Sequence, residues 1–458
     1  MDESILVISI GVLIFVSHLF TAIFERQGIP DVLLLMGVGI LIGPVFGLLK
    51  PDDFGIVTGI FTTITLVFIL FTGGLELCVE SMKKSLRSMM RLTMLNFFVT
   101  AGVVALIAWL AIGLSPLEAS ILGTILGATS SAVVIPLVKQ LAMREESKTV
   151  LILESAFSDV LSIVFVLAFI QAHDSGSVRI GGMIGGVISS FTLACLVGVM
   201  SAMGWSMLLE KVRTVKNSMF TTPAFVFVVF GIAEELGFSG AISALAFGFS
   251  LANIELFQLR YIRRFRHVWL ETFNQVEHQF FNEIVFLLKT FFFVFIGMSM
   301  NFTDMWAPLF GVLITVVIYV IRVPIVRLGV ATKFPVMDRT IMASMSPKGL
   351  AAAVLAGLPL QAGLPGGALI RDIVYAVILT SIVITSVIIP FLTRTPAIAN
   401  FYGSIFSTSS NPAWDQVALE DAAPKPAPSP AEPPREEAPA DQQAPGELPQ
   451  EEAPGREA

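Results

Sequence analysis

Two acidic side chains interrupt one of the most apolar stretches of this chain. The segment LESAFSDVLSIV, residues 153–164, holds Glu154 and Asp159, although a carboxylate inside a bilayer is costly and by default marks an ion pathway. At roughly 100° per residue on a helix, Asp159 lies about 140° round from Glu154. The two carboxylates therefore face different neighbours, which predicts different roles for them.

The difference in neighbours separates a structural charge from a transporting one. A carboxylate with a fixed cationic partner stays ionised, whereas one that faces an aqueous cavity without such a partner can exchange a proton for a metal ion. Lys348 is the predicted partner of Glu154, and Asp159 is the predicted carrier. The alternative is that both acids form salt bridges that only fix the packing of the helices.

The composition places these charges in a membrane protein. Of the 458 residues, 55% are hydrophobic and only 14% are charged, and the mean hydropathy is +0.82. Apolar stretches of roughly 20 residues, long enough to cross a bilayer as helix, recur along the chain. We therefore predict an all-α polytopic membrane protein with thirteen transmembrane helices, near residues 4–24, 30–49, 55–76, 92–113, 117–141, 149–172, 180–208, 218–236, 238–255, 281–300, 305–330, 339–362 and 369–393.

The basic residues predict the orientation of the chain. Cytoplasmic loops are enriched in Lys and Arg, and alternate loops between the predicted spans hold nineteen basic residues against three in the other loops. This bias predicts an N-terminus outside and a C-terminus in the cytoplasm. We expect a multi-pass protein of the inner or plasma membrane.

Two of the predicted spans contain residues that disfavour a continuous helix. GATSSAVVIP, residues 127–136, lies in the fifth span, and SPKGLAAAV, residues 346–354, lies in the twelfth. Pro removes a backbone donor and Gly lowers helix propensity, and freed backbone groups at membrane depth are tolerated only where they line a cavity or are buried in protein. The alternative for each segment is a Pro kink with small residues for close packing.

The positions of the two breaks suggest internal repetition. Thirteen spans divide into two six-helix halves and one linker, which inverts the second half, so the break falls in the fifth helix of each half. Matching interruptions in inverted halves are a sequence sign of a transporter ion site near the midplane. Lys348 lies beside the second break, where its charge can offset the ends of the half-helix dipoles.

The end of the chain has a different composition. Residues 411–458 are rich in Pro and carry eleven acidic against three basic residues. Such a segment cannot bury enough surface to fold. We predict a transmembrane domain over 1–410 and a disordered acidic cytoplasmic tail over 411–458, with a regulatory partner of the tail left open.

Six segments in colinear order carry a family resemblance across residues 5–395. Together they resemble the monovalent cation:proton antiporter superfamily, and the Glu-x-x-x-x-Asp spacing resembles its NhaP-like, sodium/proton exchanger branch. The six segments are IPDVLLLMGVGILIGP, GATSSAVVIP, LESAFSD, AEELGFSGAISALAFG, FFFVFIGM and MSPKGLAAAVLAG.

The resemblance implies an ion site around Asp159. This residue matches the carboxylate that binds the cation or the proton in turn, and Ser155 and Thr129 match further cation ligands, through a hydroxyl or a backbone oxygen. The chain carries Ser158 where electroneutral members commonly have Asn, and Ser130 where the fifth-helix motif often has Asp. Hydroxyls can still coordinate a hard cation, so both serines stay in the predicted site, and the choice among sodium, potassium and lithium stays open.

The resemblance also implies a structural ion pair and an assembly. Glu154 matches an acid that pairs with a basic residue on the twelfth helix, which here is Lys348, and Arg322 resembles a basic residue on the preceding helix. Members form homodimers in which a dimerisation domain lies beside a mobile core domain with two crossed, broken helices. The expected partners are thus a second copy, the lipid bilayer, a monovalent cation and the proton, with no nucleic acid.

These features predict electroneutral sodium/proton antiport by alternating access, without a cofactor beyond the transported ions. A potassium/proton antiporter of the same fold is one alternative, and a non-transporting membrane sensor or scaffold is another. An enzyme is not expected, because no His or second Asp is placed to activate a Ser at membrane depth.

Overall fold

The computed structural model describes residues 3–27, 31–49, 55–75, 77, 79–174, 180–214, 218–254, 275–300, 302 and 305–394. Within these ranges all regular structure is helical, as predicted. The predicted tail at 411–458 lies outside the described residues. The α-helices of the described part are α1 (Glu3–Gln27), α2 (Asp31–Ile40), α3 (Gly55–Leu75), α4 (Val79–Ile107), α5 (Pro116–Gly127), α6 (Ser131–Gln140), α7 (Glu145–Asp174), α8 (Ile180–Arg213), α9 (Thr221–Glu235), α10 (Gly240–Ala252), α11 (Gln275–Met298), α12 (Trp306–Gly329), α13 (Val336–Ser344), α14 (Leu350–Gln361) and α15 (Gly367–Arg394).

Apolar helices dominate the described part of the chain. By length and composition, α4, α7, α8, α11, α12 and α15 can each cross a bilayer. Shorter apolar helices accompany them, namely α1, α2, α3, α5, α10 and α14. This set of helices agrees with a multi-pass membrane protein.

Both predicted interruptions are confirmed. The predicted fifth span consists of α5 and α6, separated by residues 128–130, and the predicted twelfth span consists of α13 and α14, separated by residues 345–349. The backbone becomes extended at Ala128, with ψ of 155°, and at Met345, with ψ of 95°. Pro136 lies within α6, so the first break is shorter than the segment that predicted it.

The two extended segments meet through their backbones. The Ser130 amide donates to the carbonyl of Pro347 over 2.8 Å, and residues 128–130 and 345–349 are all buried. Gly349 lies so close to Ser130 that an added Cβ would overlap the serine hydroxyl. Each segment thus provides a hydrogen bond to a peptide group of the other, at a buried position where water is not available as a partner.

A buried ion pair joins α7 to α12. Arg322 donates from Nη1 to Oε1 of Glu154 and from Nη2 to Oε2, the latter over 2.7 Å, and both residues are fully buried. Its Nε donates to the carbonyl of Met342 on α13 over 3.1 Å. The predicted pairing of Glu154 with Lys348 is therefore wrong. The planar guanidinium meets both carboxylate oxygens at once, which the single ammonium of a lysine does not do.

The helices pack in two groups. In the first group, α4 packs on α5, α7 and α12, while α15 packs on α12 and α14. In the second, α10 packs on α3 and α8, and α2 packs along α11. Gly74 on α3 and Gly248 on α10 allow these two helices to pack closely, because a Cβ at either position would overlap the main chain of the facing helix. The groups also touch, for example where α3 meets α14.

Replacing Gly349 with Ala should force the two extended segments apart. Overpacking of a buried site costs about 1–3 kcal/mol, so we expect a loss of that size in the free energy of unfolding, seen as a lower thermal midpoint in detergent. Gly357→Ala is the matched control on α14, because a Cβ there would meet Nε2 of Gln361 at an ordinary van der Waals distance of 3.6 Å. Equal melting of the two variants would contradict close packing at the crossing.

Removing Arg322 should leave Glu154 as an uncompensated buried charge. We expect Arg322→Ala to lower the free energy of unfolding by about 3–5 kcal/mol, measured by thermal or denaturant unfolding. Arg213→Ala is the control, because Arg213 also makes a two-pronged contact with Glu277, but its side chain is 26% exposed. A partly exposed pair is screened by solvent, and exposed pairs contribute about 0.2–1 kcal/mol, so we expect the smaller loss from Arg213→Ala; similar losses in the two variants would contradict the structural role of the pair of Arg322 with Glu154.

Candidate functional site

The side chain of Asp159 is buried without a fixed cation. It lies near the middle of α7 with 7% of its surface exposed, and its Oδ2 accepts a hydrogen bond of 2.9 Å from the hydroxyl of Ser131, the first residue of α6. None of the ion pairs formed among the described residues includes Asp159. A neutral hydroxyl therefore holds this carboxylate, in contrast to the guanidinium that holds Glu154.

A small pocket between the two helix groups opens onto Asp159. Its polar lining consists of Asp159, Ser130 and Ser131. The rest is apolar or small and comes from α3, α7, α10 and α14: Leu66, Ile69, Leu70, Gly73, Ala156, Leu245, Leu350 and Ala351. A cation that entered this pocket would find one carboxylate and two hydroxyl oxygens in otherwise apolar surroundings.

Ser130, one of the predicted cation ligands, takes part in the site through two groups. Its amide is used in the backbone contact with Pro347. Its hydroxyl has no hydrogen-bond partner within the described residues, although it is buried and lines the pocket of Asp159. It is thus an oxygen at the site that remains free to bind a ligand.

Of the other three predicted ligands, Thr129 belongs to the first break and Ser158 contacts it, whereas the hydroxyl of Ser155 bonds within α7. The hydroxyl of Ser158 accepts from the amide of Thr129 and donates to the carbonyl of Ser155, each over 3.0 Å. The hydroxyl of Ser155 donates to the carbonyl of Ile152 over 2.9 Å. Thr129 Oγ1 faces Nδ2 of Asn96 at 3.5 Å. In the described conformation these side chains surround the break, and the hydroxyl that bonds Asp159 is that of Ser131.

Lys348 serves the crossing of the two extended segments. Its Nζ donates to the carbonyl of Ala128 over 2.7 Å and lies 3.4 Å from the hydroxyl of Ser346. Its amide donates to the hydroxyl of Ser381 on α15 over 2.9 Å. The ammonium thus lies at the C-terminal end of α5, where a positive charge offsets the negative end of the helix dipole. The sequence analysis predicted that the charge of Lys348 would offset the dipole of a half-helix in this way.

Sequence reasoning missed several residues that organise the site. Ser131 stands inside GATSSAVVIP next to the predicted Ser130, and its place at the start of α6 is what turns it towards Asp159. The hydroxyl of Tyr319 on α12 donates to the carbonyl of Ser381 over 2.8 Å and also lies in hydrogen-bond contact with the hydroxyl of Thr385. Asn96 could have been noticed as a lone amide in the fourth span. The partners of Tyr319 lie more than sixty positions away and gave no local signal.

The arrangement suits a weakly held, exchangeable cation. In the described ranges no group of three or more His, Cys, Asp or Glu side chains is placed to hold a metal ion. One carboxylate with neighbouring hydroxyls supplies hard oxygen ligands. The same carboxylate can instead take a proton, which removes the cost of a buried negative charge.

Two relatives and one family model resemble the chain along most of its length. The model for the sodium/hydrogen exchanger, transmembrane, matches residues 12–395. The K(+)/H(+) antiporter NhaP2 of Shewanella sp. (strain ANA-3) is 23% identical over 378 residues, which are 81% of this chain and 63% of that protein. The Na(+)/H(+)-K(+) antiporter GerN of Bacillus cereus is 24% identical over 367 residues, which are 78% of this chain and 89% of that protein. The chain thus spans less than two thirds of the length of NhaP2.

The fold is also similar to that of a solved structure. The sodium proton antiporter MjNhaP1 from Methanocaldococcus jannaschii, at pH 8, superposes with a TM-score of 0.68 at 20% identity, over 89% of this chain and 100% of that chain. The family is one of membrane transporters rather than enzymes. Because the family model covers residues 12–395, this chain belongs to the transmembrane sodium/hydrogen exchanger family.

Proposed function

We propose that this protein is a secondary-active antiporter that exchanges a monovalent cation for a proton at Asp159. One observation carries the proposal: Asp159 is a buried carboxylate in a mostly apolar pocket, and its hydrogen-bond partner is a hydroxyl instead of a cation. Asp159 forms no ion pair among the described residues, and Lys348 acts on it only through space, so a cation or a proton in the pocket is needed to neutralise it directly.

The same carboxylate oxygens serve both ions in turn. When Asp159 binds a proton, it is neutral and can pass an apolar barrier; when it binds a monovalent cation, the pair is neutral as well. The bare carboxylate is strongly disfavoured in those surroundings. Ser131 orients Oδ2, and the free hydroxyl of Ser130 supplies a further oxygen to a cation in the pocket.

Alternating access follows from where the pocket lies. Asp159, Ser130 and Ser131 belong to the helix group of the crossing, whereas α3 and α10 form the facing wall. A displacement of one group against the other would open the pocket to one side of the membrane and close it to the other. The two groups correspond to the core and dimerisation subdomains of the proposed 1–410 exchanger domain.

The proposed membrane arrangement completes this account. It has thirteen spans in two inverted halves, an N-terminus outside, a cytoplasmic C-terminus and a homodimer in the plasma membrane. The excess of basic residues in alternate loops supports the orientation. The proposed acidic tail follows the last span on the cytoplasmic side.

Sodium is the first candidate for the exchanged cation, and potassium is the second. The resemblance to the sodium/proton exchanger branch favours sodium. Potassium is favoured by the names of the relatives, since NhaP2 is called a K(+)/H(+) antiporter and GerN a Na(+)/H(+)-K(+) antiporter. Glu154 keeps its fixed partner Arg322 in either case and is not expected to carry an ion.

Replacing Asp159 with Asn should abolish exchange without unfolding the protein. The assay uses proteoliposomes with an internal pH dye, an imposed pH gradient, and addition of sodium, potassium or lithium in turn. We expect cation-dependent proton movement in the wild type and none in Asp159→Asn, because the amide can neither bind a proton nor neutralise a cation. The most active ion identifies the substrate.

Glu283→Gln is the control for this experiment, because it removes a carboxylate of α11 that is exposed in the described structure. It should keep the rate of the wild type. Exchange that persists in Asp159→Asn would overturn the assignment of the carrier. No response to any of the three cations from folded wild-type protein would favour the sensor or scaffold alternative.

One carboxylate per site predicts one proton exchanged for one cation. We therefore expect the rate of exchange with sodium or lithium to be the same when valinomycin and a potassium gradient impose a membrane potential as when valinomycin and equal potassium hold the potential at zero, and we expect no net current from a protein-loaded supported membrane. Asp159→Asn vesicles provide the leak control. A cation-dependent current that is lost in this variant would contradict the electroneutral stoichiometry.

A further inference from the structure

Two buried carboxylates occupy the same place in the two interrupted spans. Glu118 is the third residue of α5, and Asp338 is the third residue of α13. They are 7% and 4% exposed, respectively. Neither lines the pocket of Asp159, and neither belongs to the ion pair of Glu154.

Glu118 connects the start of α5 to the start of α15. Its Oε1 accepts from the amide of Gly366 over 2.6 Å, and Gly366 directly precedes the first residue of α15. Its Oε2 accepts from the amide of Ser115 over 3.1 Å and from the hydroxyl of Ser115 over 2.7 Å. One carboxylate thus caps its own helix and holds a helix that begins almost 250 residues later.

Asp338 makes the reciprocal connection from α13 to α7. Its Oδ2 accepts from the amide of Arg144 over 3.2 Å, and Arg144 directly precedes the first residue of α7. The same oxygen accepts from the hydroxyl of Ser147, in the first turn of α7, over 2.5 Å. Arg144 and Lys148 also attract this carboxylate electrostatically.

The two connections follow one rule. Each acid sits at the start of the first half of an interrupted span and holds the amide just before the helix that follows the other interrupted span. Two helix N-termini therefore converge on each carboxylate, and each N-terminus carries a partial positive charge that the carboxylate stabilises. Because α7 begins on the side where α6 ends, whereas α5 begins on the other side, the two connections lie at opposite ends of the helix group.

We propose that Glu118 and Asp338 are equivalent positioning residues, one at each face of the membrane, which hold the two interrupted spans as a single body. Together with the contact of Ser130 and Pro347 midway, they join α5, α6 and α7 to α13, α14 and α15 at three levels. The pocket of Asp159 then opens by movement of this whole body against α3 and α10, and not by separation of its two halves.

This proposal rests on the proposed exchange function for its transport measurement. The loss of either link should let the extended segments shift relative to Asp159. The cation would then lose part of the geometry that the hydroxyls of Ser130 and Ser131 supply, and its apparent affinity should fall. A residue that only stabilises the fold would lower the melting temperature without this effect.

The test compares Glu118→Ala and Asp338→Ala in two measurements. The first is the cation concentration that gives half of the maximal rate in proteoliposomes. The second is hydrogen–deuterium exchange of the amides at 128–130 and 345–349 in nanodiscs. We expect each variant to raise the half-saturating concentration several-fold and to accelerate amide exchange in both extended segments, including the one on the other interrupted span.

Glu234→Ala is the matched control. Glu234 lies on α9, and its Oε1 accepts from the amide of Gly240, the first residue of α10, over 2.7 Å; this is the same kind of bond, made between two helices outside the interrupted spans. It should change neither measurement. The amide variants Glu118→Gln and Asp338→Asn keep one acceptor oxygen and should show milder effects, so they also decide the matter if an alanine variant does not fold.

Lower melting temperatures with unchanged half-saturating concentrations and unchanged amide exchange in both segments would overturn the proposal and leave the acids as local helix caps. Faster exchange confined to the helix ends that each acid touches would do the same. Failure of the wild type to move protons would refute the proposed function only, because the hydrogen–deuterium measurement still decides whether the two acids hold the breaks.

Discussion

The constraint on which the rest of this structure depends is the need to satisfy peptide groups that leave a helix among buried residues. The segments at 128–130 and 345–349 are extended and buried, so water does not supply their hydrogen bonds. They obtain them from each other, through Ser130 and Pro347, and from side chains such as Ser158 and Lys348. The crossing brings α7, α12 and α15 into fixed positions, since each of them contributes a group that the breaks require.

The buried charged side chains near the crossing also have hydrogen-bond partners within the described structure. Arg322 meets both oxygens of Glu154 and also the carbonyl of Met342, so the pair ties three helices together and leaves no free charge. Lys348 is engaged by the carbonyl of Ala128. Unlike Glu154, Asp159 has neither a guanidinium nor an ammonium as its hydrogen-bond partner, because its Oδ2 accepts from the hydroxyl of Ser131. A carboxylate left in that condition amid satisfied charges is suited to bind a mobile cation.

The pocket of Asp159 lies between the two helix groups, which is where the proposed displacement of one group against the other would act. Its polar wall comes from the body that contains the crossing, and its apolar wall comes from α3 and α10. Gly74 and Gly248 allow the main chains of α3 and α10 to pack closely in the second wall. In our proposal, Glu118 and Asp338 hold the first at its two ends through their bonds to the amide of Gly366 and the hydroxyl of Ser147. In the proposed mechanism, two helix groups that meet at a small, mostly apolar pocket with one unpaired carboxylate are the parts that alternating access requires.

The sequence by itself determined the features that arise from neighbouring residues. Composition and hydropathy indicated a helical membrane protein, and helix-disfavouring residues within apolar runs located both breaks, although Pro136 itself lies inside α6, because helix propensity depends on local residue types. The spacing of Glu154 and Asp159 correctly separated their surroundings. Only the tertiary structure decided that Glu154 pairs with Arg322, 168 positions away, and that Ser131 bonds Asp159. Which of two cations meets a given carboxylate depends on how three helices pack, and no local pattern in the chain records that geometry.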